Sequence, residues 1–179
     1  MSGPMLAETV RFRGDGGHRI EAYGARPLAH GSSGGVVVIH HMPGFDEATK
    51  EITRRFAVNG YNAICPNLHY REAPGARPDD AAAASRAAGG VPDERLVGDV
   101  SAASEWLRDL PSSNGKVGTI GYCSGGRQSF LCACRLPIDA AVVCYGAFIA
   151  RRPPEGSGLH AQPVIDRRHR VPHPRTVRR

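Results

Sequence analysis

A chain of 179 residues with a formal net charge of +6 is long enough for one domain with a real core and too short to expect two. The bulk charge hides its distribution: residues 1–150 balance fifteen Lys and Arg against fifteen Asp and Glu, and the excess lies in residues 151–179, where eight Arg face only Glu155 and Asp166. No apolar run approaches the roughly 20 residues that span a bilayer, the first ten residues lack a secretory pattern, and no aromatic residue interleaves the C-terminal arginines to stack on bases. A cytoplasmic protein with neither a membrane nor a specific nucleic-acid partner is therefore expected.

In chain order, Thr9 to Phe12 and Ile20 to Tyr23 alternate apolar and polar residues around Gly14-Asp15-Gly16-Gly17, the pattern of an antiparallel hairpin. Val36-Val37-Val38-Ile39 is a continuous β-branched run, which suits a strand buried on both faces of a parallel sheet. Ala48 to Asn59 reads as a helix with Ala48, Ile52 and Phe56 on its apolar stripe, stopped at Asn59-Gly60. Tyr61 to Cys65 is a short strand before Pro66. Residues 71–92, rich in Ala, Pro, Gly and Asp, predict a loop with a short Ala-rich helix. Pro92-Asp93 opens the next helix, with Leu96, Val100, Ala103 and Leu107 at helical spacing up to Pro111. Ser112 to Gly115 is expected to be a turn, and a strand follows at Ala140 to Tyr145. Residues 151–179 have no apolar period and many Pro and Arg, and a disordered basic tail is expected there.

Between these elements lies the most informative stretch. The β-branched run Val117 to Tyr122 ends in Gly121-Tyr122-Cys123-Ser124-Gly125, and an apparent helix continues to about Arg135. Gly-x-Cys-x-Gly between strand and helix is a nucleophile elbow with sulfur in place of oxygen. The helix N-terminus favours both a thiolate and the oxyanion of an ester under attack. Cys65, Cys123, Cys132, Cys134 and Cys144 are odd in number and mostly lie in apolar segments, so reduced thiols are expected rather than a disulfide framework. Cys132 and Cys134, two apart on a helix, point to different faces and read as packing residues.

With these motifs placed, the chain resembles the dienelactone hydrolase (carboxymethylenebutenolidase-like) family from about Thr9 to Ile149. The resemblance rests on Ser113 to Gly118 leading into Gly121 to Gly126, on Arg54-Arg55-Phe56-Ala57 with Gly60-Tyr61 and Cys65-Pro66-Asn67-Leu68, and on Tyr145-Gly146. It implies an α/β class, an α/β-hydrolase-type doubly wound, mostly parallel sheet that is C-terminally incomplete, in a domain of residues 1–150. It implies cleavage of a small-molecule carboxylic ester or lactone without cofactor or metal. Cys123 is then the nucleophile, and the backbone N–H groups of Ser124 and Met42 form the oxyanion hole.

Two departures from the family qualify this. A glutamate often stands in the family where this chain has His41, so a Cys123–His41 dyad is one reading, and His41 as a shaper of the oxyanion loop is the other. The family's triad Asp follows a strand beyond the one ending near Tyr145, and its His comes later still. Asp166, His169 and His173 have the right chemistry, but an Arg-Pro segment offers nothing to hold them, nor a helix to aim the two histidines at zinc. The family's carboxylate-binding Arg falls in the loop of residues 71–92, where Arg77 and Arg86 are the nearest candidates, each also readable as a solvated charge. Two alternatives follow: a truncated or frame-shifted, catalytically impaired member, and a binding module with a basic tail.

Overall fold

The computed structural model describes residues 3–28 and 31–149, so the basic tail, with Asp166, His169 and His173, lies outside the described residues. The hairpin forms as its alternation predicts and is longer. Strands β1 (Met5–Arg13) and β2 (Arg19–Pro27) pair antiparallel from Met5↔Pro27 to Arg13↔Arg19 around a 3-10 turn at Asp15–Gly17. The remaining elements alternate: β3 (Ser33–Ile39), α1 (Glu47–Val58), β4 (Asn62–Pro66), α2 (Pro78–Ala87), α3 (Asp93–Arg108), β5 (Ser113–Tyr122), α4 (Ser124–Arg135) and β6 (Ala140–Cys144).

The sheet order is β1-β2-β4-β3-β5-β6, with β4, β3, β5 and β6 parallel and the hairpin antiparallel at one edge. From β3 the chain steps outward to β4 through α1, then crosses back through α3 to β5 on the other side. The winding therefore reverses between β3 and β5, and crevices for ligands open beyond the carboxyl ends of strands at such a switch point.

The two sheet faces carry separate cores. On one, Val37, Ile39, Ile64 and Val117 pack with Leu96, Val100 and Leu107 of α3 and Leu131 of α4. All four apolar residues expected to recur along α3 are buried. On the other, Val38, Cys65 and Ile120 meet Phe45 and the half-buried Ile52 and Phe56 of α1.

Three expectations need correction. The buried stripe of α1 is Thr49, Thr53 and Ala57, and Ala48 is exposed. Ile52 and Phe56 do pack on the core as expected, and the threonines beside them bury more deeply because their hydroxyls find partners: Thr53 Oγ1 donates to the Thr49 carbonyl at 3.0 Å and Thr49 Oγ1 to Asp46 at 2.7 Å. Satisfied in this way, they bury at little cost. Next, β5 begins within the expected turn, since Ser33 pairs with Ser113 before a register shift at Gly35. Tyr145 lies outside β6, with φ 43°.

A buried clasp fixes the connection after β4. Arg71 donates to both carboxylate oxygens of Asp99, at 2.7 and 2.8 Å, and Asp99 accepts the Asp15 N–H at 2.8 Å. Asp99 is fully buried, so its pairing to a bidentate guanidinium is what makes its burial tolerable.

Candidate active site

At the end of β5 the backbone turns sharply into α4. Cys123 stands at the turn with φ 54° and ψ −117°, a left-handed backbone that side chains rarely adopt. Its N–H donates to the Cys144 carbonyl at 3.0 Å, and its own carbonyl accepts the Gly126 N–H at 3.0 Å. The glycines are needed for close approach. A Cβ on Gly125 would overlap the carbonyl oxygens of Ile39 and His40, and one on Gly126 would lie 2.6 Å from the Cys144 carbonyl. The helix therefore starts pressed between the ends of β3 and β6, with Cys123 exposed at its tip.

The other thiols differ from it. Cys65 and Cys132 are buried, and burial raises both pKa values, that of Cys132 to about 12. Burial also raises the thiol of Cys134. Cys123 is thus the thiol open to solvent at a helix N-terminus, and Cys132 takes the packing role expected of it.

A pocket beside the elbow is lined by His40, His41, Met42, His69, Arg86, Ser124 and Gln128, among others. Neither the Met42 nor the Ser124 N–H takes part in a hydrogen bond among the described residues. Two unengaged main-chain donors thus belong to residues that line one pocket next to the elbow. The Met42 loop is held from below by His40, whose ring donates through Nδ1 to the His41 carbonyl at 2.9 Å and accepts the Leu68 N–H on Nε2 at 3.1 Å. Burial, reinforced by His69, lowers the His40 pKa to about 3. His40 is a neutral strut rather than a base.

His41 points elsewhere. Its Nε2 lies 3.0 Å from Asp46 Oδ2, and no hydrogen bond to Cys123 Sγ forms among the described residues. Its carbonyl accepts the Gly44 N–H at 2.9 Å. Asp46 is the helix cap of α1, taking the Thr49 N–H at 2.8 Å on Oδ1. Burial would raise its pKa, but the Thr49 and His41 hydrogen bonds outweigh burial and hold it below the ordinary range.

Of the two arginines weighed from sequence, Arg86 lines the pocket from the last turn of α2, while Arg77 caps that helix from solvent. Three features were not anticipated: the Asp46 partner of His41 and, in the pocket, the buried His69 Nδ1 and the Gln128 Oε1, neither of which has a hydrogen-bond partner among the described residues. Only Asp46 left a sequence signal, as an Asp three residues before Thr49 at a helix start. Among the described residues no group of His, Cys, Asp or Glu could hold a metal ion.

The sequence pattern of the dienelactone hydrolase family matches residues 20–168. The chain belongs to that family. The match starts later than the motifs indicated and runs past Ile149 far enough to include Asp166, but not His169 or His173. A carboxymethylenebutenolidase of Pseudomonas putida is 33% identical over 153 residues, covering 83% of this chain and 64% of the relative. Carboxymethylenebutenolidase 1 of Cupriavidus pinatubonensis is 30% identical over 162 residues, with 83% and 65% covered. Among solved structures, a dienelactone hydrolase-like promiscuous phosphotriesterase from metagenomic libraries superposes with a TM-score of 0.70 at 28% identity, over 84% of this chain and 63% of its own. The chain thus spans a little under two thirds of the length of these dienelactone hydrolase relatives. Among the described residues no helix is long and apolar enough to cross a membrane.

Proposed function

We propose that this chain is a hydrolase of small-molecule carboxylic esters or lactones that works through Cys123. The observation that carries the reading is the exposed Cys123 at positive φ on a strand-to-helix turn, with Met42 and Ser124, whose N–H groups are unengaged, lining one pocket next to the turn. The thiolate attacks the carbonyl carbon, and the two N–H donors stabilise the oxyanion as the tetrahedral centre forms. The alkoxide leaves with a proton, a thioester remains on Sγ, and water cleaves it to the acid and the free thiol. Each oxyanion donor contributes about a hundredfold to a thousandfold in rate. His41 is the proton acceptor nearest in sequence to this loop, and Arg86 is placed to meet an anionic group on the substrate. Residues 1–150 form the catalytic domain, residues 151–179 are a basic appendage, and a free catalytic thiol suits the reducing cytoplasm.

Turnover of an activated ester such as p-nitrophenyl acetate, with Cys123→Ala as control, tests this. Stoichiometric labelling of Cys123 and loss of turnover in the variant are expected; neither occurring would remove the reading. A second reading, a catalytically impaired member, is favoured by the exposure of β6 beside the elbow among the described residues. It predicts labelling of Cys123 without turnover.

A further inference from the structure

We propose that the pocket beside the elbow selects esters or lactones that carry a neutral hydroxyl close to the scissile carbonyl, held between Gln128 and His69. This names a substrate class for the Cys123 reading and rests on it.

The pocket runs along the start of α4. Ser124 and Gln128 are four residues apart on that helix, so their side chains share one face at about 5–6 Å from each other, and both line the pocket. Arg86 reaches it from the end of α2 and His69 from the chain after β4. The His69 ring is held edge-on against His40, with centroids 4.7 Å apart, and its main-chain N–H donates to Asn67 Oδ1 at 3.2 Å.

Two polar atoms of this lining lack what burial demands. Gln128 Oε1 and His69 Nδ1 are buried with no hydrogen-bond partner among the described residues, and His69 is 5% exposed. A Cβ on Gly44 would lie 3.0 Å from His69 Nδ1, so the glycine leaves that edge of the ring clear of a side chain. Buried polar atoms without partners cost stability, and such violations gather where a ligand completes the set.

The chemistry of the two atoms selects the ligand group. Gln128 Oε1 is a carbonyl oxygen and needs a donor. An ammonium group is disfavoured as that donor by the charge of Arg86 in the same pocket. Burial lowers the His69 pKa, so the ring is neutral near pH 7, and with its proton on Nδ1 it donates. A carboxylate or ester oxygen would take that proton but would set acceptor against acceptor at Gln128. A single hydroxyl satisfies both, accepting from His69 Nδ1 and donating to Gln128 Oε1. A substrate without it leaves the two atoms unpaired.

The experiment follows iodoacetamide alkylation of Cys123 in the full chain at fixed pH, in rising concentrations of γ-butyrolactone and of its α-hydroxy and β-hydroxy derivatives, for the wild type and Gln128→Leu. The better hydroxylated lactone should protect Cys123 at a concentration about tenfold to a hundredfold below that of the parent lactone. In Gln128→Leu the preference should shrink to within about threefold. The variant should unfold at a urea midpoint no lower than the wild type, because it loses an unpaired buried acceptor. Equal protection by the three lactones, no protection by any, a preference that survives Gln128→Leu, or a lower midpoint overturns the proposal while labelling leaves the nucleophile in place. Turnover of p-nitrophenyl acetate reads the reaction separately: its absence beside selective protection removes the hydrolase and keeps the hydroxyl preference. No labelling of wild-type Cys123 overturns both.

Discussion

Cys123 stands between two unlike neighbours. On one side β3 is the centre of the sheet: Val37, Val38 and Ile39 are fully buried, and its end carries the His40–Met42 loop. On the other, β6 is the last strand among the described residues, with Val142 49% and Val143 36% exposed. Both strands clamp the elbow through main-chain contacts, yet only β3 is itself packed on both faces. The half of the site that would hold an oxyanion is buried on both faces, and the half facing β6 rests on a strand left exposed among the described residues.

The sharpest test of this contrast compares two glycines. Gly125→Ala pushes a methyl group into the Ile39 and His40 carbonyls, which the centre of the sheet cannot move. A destabilisation of about 3 kcal/mol or more is expected, well beyond the gain of about 1 kcal/mol from replacing a helical glycine. Gly118→Ala places its Cβ 3.1 Å from the Ala140 carbonyl of β6, and an edge strand can yield by that amount at a cost under about 1 kcal/mol. Urea unfolding of both variants checks this; equal midpoints would mean that β6 is as firmly held as β3.

A matched pair of isosteric changes should show the same asymmetry more mildly. Val38→Thr puts a hydroxyl among Phe45, Cys65 and Ile120, with an expected loss of about 1–3 kcal/mol for an unpaired buried polar group. Val142→Thr, on the exposed part of the same face, should stay within about 0.5 kcal/mol. A comparable loss at both positions would show that something covers β6 in solution.

The same division governs what could be read from the sequence. The elbow was legible because its rules are local: a β-branched strand, glycines where backbones touch, and a helix after them. The α3 stripe was legible because Leu96, Val100, Ala103 and Leu107 are apolar and unambiguous. The α1 face was legible at Ile52 and Phe56 but not at its most buried positions, because Thr49 and Thr53 look like surface residues until their hydroxyls are seen to be satisfied within the helix. Ala140 to Cys144 has the composition of a buried strand, yet lies half exposed at the edge, since burial depends on neighbours that a strand's own residues do not specify. Pairings between distant residues, such as Arg71 with Asp99, leave no local mark. The pairing of His41 with Asp46 spans only five residues, but it depends on how the turn folds back over the cap.

A further expected effect concerns acid and falls on the β3 side. His40 and His41 are consecutive, yet His40 is locked neutral below the oxyanion loop and His41 is partly open and paired to a carboxylate. Because burial brings the His40 pKa from 6.5 to about 3, the unfolded chain binds a proton between those values that the folded chain refuses. The stability due to neutral His40 is therefore complete above about pH 6.5 and is lost on acidification at about 1.4 kcal/mol per pH unit. Near pH 5 the expected loss is about 2 kcal/mol. Burial lowers His69 as well and adds in the same direction, whereas Asp46, held below its ordinary value, surrenders its share only below about pH 4. Comparing urea midpoints at pH 7 and pH 5 for the wild type and His40→Gln isolates the histidine: the variant should be less stable at pH 7 and change less on acidification. If both lose stability equally, His40 is not the strut that holds the oxyanion side, and the contrast between β3 and β6 needs another cause.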